Sequence, residues 1–68
     1  MKRQMVYMDS CKKGDIMILR VRDEWEVYYK KPQYAFRFAF GLMKKDCSLE
    51  EAFRRAKANF WDYDDLFY

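Results

Sequence analysis

The chain of 68 residues contains no histidine, two glycines, one proline and two cysteines. Without histidine it lacks the usual general base near neutral pH and a common metal ligand. With Gly14 and Gly41 alone, it cannot form a glycine-rich phosphate loop. Cys11 and Cys47 are too few for a zinc site. Lys12, Lys13, Lys44 and Lys45 lie near the thiols in sequence, but no base or oxyanion-hole motif accompanies them. Both cysteines are therefore read as free, inert thiols in turns. No cofactor is expected, and the protein is read as non-enzymatic.

Nor is there a run of about eighteen apolar residues, so no transmembrane helix and no membrane partner are expected. The opening Met-Lys-Arg-Gln-Met-Val-Tyr-Met has too short an apolar stretch for a signal peptide, and the expected compartment is the cytoplasm.

Rings and charge are abundant. Aromatic residues make up 21% of the chain and charged residues 37%. One small domain spanning 1–68 is expected, its modest core enriched by large side chains. All 14 Lys and Arg precede residue 58, whereas Asp62, Asp64 and Asp65 follow it. A basic body thus ends in an acidic tail.

Residues 3–8 and 15–22 read as strands separated by a polar turn that ends at Gly14. Trp25 to Lys30 alternates as a third strand after the break at Asp23-Glu24. Met17, Leu19, Val21, Trp25, Val27 and Tyr29 are the expected inner face of this meander over 1–31. Pro32 then fits the first turn of a helix. Between Pro32 and Lys45 the polar or small positions, Gln33, Arg37, Gly41 and Lys44 with Lys45, form one narrow stripe at helical spacing. The spacing predicts a helix buried on most of its circumference, with Phe36, Phe38 and Phe40 inside.

Ser48-Leu49-Glu50-Glu51 matches a capping box. The helix it opens would bury Leu49, Ala52, Phe53, Ala56 and Phe60. Glu50 with Arg54 and Glu51 with Arg55 would pair on its wet side, and it would end near Asn59 or Trp61. The expected fold is α+β: a three-stranded antiparallel meander packed on two C-terminal helices, β-β-β-α-α. Residues 32–61 form the helical hairpin and 62–68 an acidic-aromatic tail.

Two surfaces stand out as binding candidates. Trp61, Asp62, Tyr63, Asp64, Asp65, Phe67 and Tyr68 concentrate rings and acids, which suits either a fold-back onto the core or a protein-docking patch with an acidic rim. The three aspartates lack the glycine turn and distal glutamate of a calcium loop, so no metal is expected. Arg20, Arg22, Tyr28 and Lys30 would share the outer sheet face. There they could contact phosphates and stack a base, or simply keep the sheet soluble. The expected role is a small protein-interaction module, an adaptor, regulator or inhibitor of a larger partner. Nucleic-acid binding is the alternative, and the chain is expected to be a monomer or homodimer.

Overall fold

The computed structural model describes residues 4–11 and 14–60. It is an α+β fold with an antiparallel sheet and one C-terminal helix. The strands β1 (Gln4–Cys11), β2 (Gly14–Val21), β3 (Glu24–Lys30) and β4 (Arg37–Met43) lie in the order β1-β2-β3-β4, and α1 (Leu49–Asn59) follows.

The largest departure from expectation is β4. Residues 37–43 form a strand where a pillar helix over Tyr34–Lys45 was predicted, so the helical hairpin of 32–61 is replaced by a strand and one helix. A stripe of small or polar positions fits helical spacing, but the segment also pairs as a strand, with a bulge between the Val27–Phe40 and Tyr28–Phe38 pairs that puts the two phenylalanines on opposite faces. Phe40 and Leu42 point to the helix side beside Val27 and Trp25, and Phe38 and Met43 pair with Tyr28 and Glu24 on the other side. Apolar residues on both sides of a segment satisfy either period, and phenylalanine favours the pleated surface.

Pro32 does not start a helix. It sits at the second position of a turn closed by the Tyr34 N–H donating to the Lys31 carbonyl at 3.0 Å. Gln33, at φ 74°, supplies the left-handed third position that a type II turn requires.

Register also reverses one face of the sheet. A two-residue connection, Arg22-Asp23, sets Val21 opposite Glu24, so every even residue of β2 lies across from an odd residue of β3. Ile16 and Ile18 therefore face the same side as Tyr29 and Val27. Met17, Leu19 and Val21 turn to the opposite side and do not join the inner face expected of them. Because β2 is apolar on both sides, its alternation could not decide this.

The helix behaves as its sequence predicts. Ser48 is the N-cap, its Oγ accepting from the Glu51 N–H at 3.2 Å. Arg54 reaches Glu50 at 3.0 Å, and Arg55 reaches Glu51 at 3.4 Å. Ala52, Ala56 and Phe60 are buried, and Leu49 and Phe53 pack beside them. The two alanines let the helix backbone approach the sheet closely. Replacing Ser48 by alanine removes the cap acceptor. It is expected to cost about 1 kcal/mol, measured as a lower urea midpoint with unchanged slope.

The core lies between α1 and one sheet face: Ile16, Ile18, Val27 and Tyr29 below, Cys47, Ala52, Ala56 and Phe60 above. The Tyr29 ring stacks on Phe60 at 4.3 Å, and Tyr7 lies 4.4 Å from Phe53. The Trp25 indole N–H donates to the Cys47 carbonyl at 3.1 Å, which ties the β4–α1 connection to the sheet.

Candidate protein-docking face

Among the described residues, one helix covers one side of the four-stranded sheet and no element covers the other, the bare face. That bare face is built from rows of cross-strand neighbours. Val21, Glu24 and Met43 form the first row. Met5, Leu19, Glu26 and Gly41 form the second, Met8, Met17, Tyr28 and Phe38 the third, and Asp15 with Lys30 the fourth. Successive rows on one face are about 7 Å apart, two residues along β2 and β3, and between the second and third rows three residues along the bulged β1 and β4.

The two middle rows are mostly apolar. Met5 is 56% exposed, Met8 50% and Phe38 50%, and Met43 in the first row is 37% exposed. Phe38 was expected inside the core; it stands on this face, edge-on to the Tyr28 ring at 5.5 Å. Phe36 and Phe40 are half-buried. The Tyr28 hydroxyl donates to the Glu26 carboxylate at 2.9 Å, which orients the ring along the strand. Solvent-facing strand positions are usually charged or short. Here they carry thioethers and a phenyl ring.

Among the described residues nothing requires glycine at position 41 of β4. A Cβ built there would meet only the Trp25 carbonyl oxygen at 3.8 Å and Glu24 Oε1 at 3.9 Å, both ordinary contacts. Glycine in a strand interior costs about 0.5–1 kcal/mol relative to alanine. A glycine that the fold does not need leaves a shallow notch on the exposed face beside Phe38, where another surface can come close.

The basic-aromatic group expected on the outer sheet face is divided. Tyr28 and Lys30 lie on the bare face. Arg20 pairs with Trp25 on the helix side and donates to Gln4 Oε1, and Arg22 occupies the β2–β3 turn at φ 53°. The tail residues Trp61, Asp62, Tyr63, Asp64, Asp65, Phe67 and Tyr68 lie outside the described residues. Sequence reasoning missed Met5, Met8, Met17, Leu19 and Phe38 as a surface. The signal available was β2, whose apolar residues fill both alternations while a single capped helix follows the sheet.

Among the described residues no group of His, Cys, Asp or Glu is arranged to hold a metal ion. No helix among them is long and apolar enough to cross a membrane. No family model matches the chain, and no curated protein or solved structure is significantly similar to it.

Proposed function

We propose that this protein is a non-enzymatic protein-binding module, in the class of small adaptors, regulators and inhibitors, and that it docks through the bare face of its sheet. The observation that carries this reading is the set of Met5, Met8, Phe38 and Met43, which remain more than a third exposed on a continuous face shared with Met17, Leu19 and Tyr28. Contiguous exposed apolar surface of this kind marks interaction sites in stable proteins. Methionines suit such a site because their flexible thioethers adapt to the surface they meet.

The test is protein association by the full chain, compared among three forms. Wild type and Arg54→Ala, altered on the helix side far from the face, should retain protein partners equally. Phe38→Lys should lose them while keeping the helical and sheet signals of circular dichroism. If Phe38→Lys associates as wild type does, with its own copies and with all other proteins, the bare face is not the docking surface.

A further inference from the structure

We infer that the occupant of the bare face is the same face of a second copy, related by a two-fold axis that crosses the strands between the Glu26 row and the Tyr28 row. This rests on the docking reading above and names its partner.

The argument is self-complementarity. In an isologous interface, whatever residue i meets on its partner must meet residue i in return. Strands of one copy then lie over the same strands of the other, running the opposite way. The row Met5, Leu19, Glu26, Gly41 comes over the partner's Met8, Met17, Tyr28, Phe38. Methionine and leucine meet methionine along β1 and β2. On β3 the Glu26 carboxylate comes over the second copy's Tyr28, whose single hydroxyl proton can go to the Glu26 of either copy. On β4 the exposed Phe38 ring comes over the Gly41 notch, a projection above a gap of similar reach. The outermost rows exchange as well: Glu24 of one copy comes over Lys30 of the other, twice in the dimer. Aligned sheets pack about 10 Å apart and rotated by about 30°, which keeps the central rows in contact.

Size agrees with this occupant. Four strands about 4.8 Å apart and seven residues long present roughly 450 Å² of footprint. Two such faces remove on the order of 1,000 Å² from water, at the lower limit for a specific interface. A reversible dimer with a dissociation constant in the micromolar range is therefore expected, about −8 kcal/mol at 1 μM.

Sedimentation equilibrium of the full chain from about 1 μM to 500 μM tests this, with three variants. Wild type should pass from monomer to dimer across that range. Gly41→Leu should weaken the dimer by at least about tenfold without loss of thermal stability, because its Cβ makes only ordinary contacts with the described residues while its side chain fills the notch. Glu24→Lys should weaken it on the order of tenfold, because two attractions become two repulsions. Adding Lys30→Glu should restore it. Residues 24 and 30 lie about 20 Å apart along one strand, so that rescue can only pass between copies. A wild-type chain that stays monomeric at 500 μM overturns the inference. Where Phe38→Lys still loses association with other proteins, the docking reading survives that result. A dimer indifferent to Gly41→Leu and not rescued by the charge exchange overturns the arrangement.

Discussion

Tyr29→Ala is expected to remove between a third and all of the protein's stability at 25 °C, about 3–5 kcal/mol. The Tyr29 ring is fully buried at the centre of the helix-side face and stacks on Phe60 with an interplanar angle of 12°. Removing a buried aromatic side chain typically costs about 3–5 kcal/mol. A chain of this length has only about 3–10 kcal/mol of stability to lose.

The hydroxyl adds a separate term. At the helix C-terminus the Phe60 N–H bonds to the Lys57 carbonyl, so it does not satisfy Ala56 in the usual i→i−4 pattern. Tyr29 donates to that Ala56 carbonyl at 2.6 Å instead. Tyr29→Phe keeps the ring and removes this donor, so it should cost about 1–2 kcal/mol. Urea denaturation of the two variants separates packing from hydrogen bonding. A Tyr29→Ala loss below about 1 kcal/mol would show that α1 does not rest on this ring.

Gly14→Ala is expected to be as damaging, for a different reason. Gly14 has φ 152°, a backbone conformation L side chains rarely adopt. A Cβ there would sit 1.9 Å from the Lys30 carbonyl oxygen, 2.9 Å from its carbon and 3.1 Å from the Lys31 Cα. All three atoms are backbone, so no rotamer change relieves the overlap. Either the Asp15–Lys30 end of the β2–β3 ladder opens or the domain unfolds, at more than about 3 kcal/mol.

Amide exchange distinguishes the two outcomes: local opening speeds exchange at that end alone, while global unfolding speeds it throughout. Gly41→Ala is the matched control. Its Cβ meets only ordinary contacts, so it should be neutral or stabilising by up to about 1 kcal/mol. If Gly14→Ala proved as benign as Gly41→Ala, the close approach of β2 to the Lys30 carbonyl would be wrong.

Features governed by near neighbours were legible in the sequence. Ser48 three residues before Glu51, glutamates four residues before arginines, and two alanines spaced by four specify α1, its cap and its buried stripe. The strand positions of β2 and β3 followed from alternation and turn residues in the same way. Such interactions span a few residues, so their pattern is written locally.

The identity of β4, the reversal of Met17 and Leu19, and the exposure of Phe38 were decided only in three dimensions. Each depends on register between strands or on how much of the sheet one helix can cover. A two-residue turn shifts parity, and parity sends a whole set of side chains to the other face. A single 11-residue helix can dry only one side of four strands. The apolar residues left on the other side, Met5, Met8, Phe38 and Met43 among them, stay exposed to water.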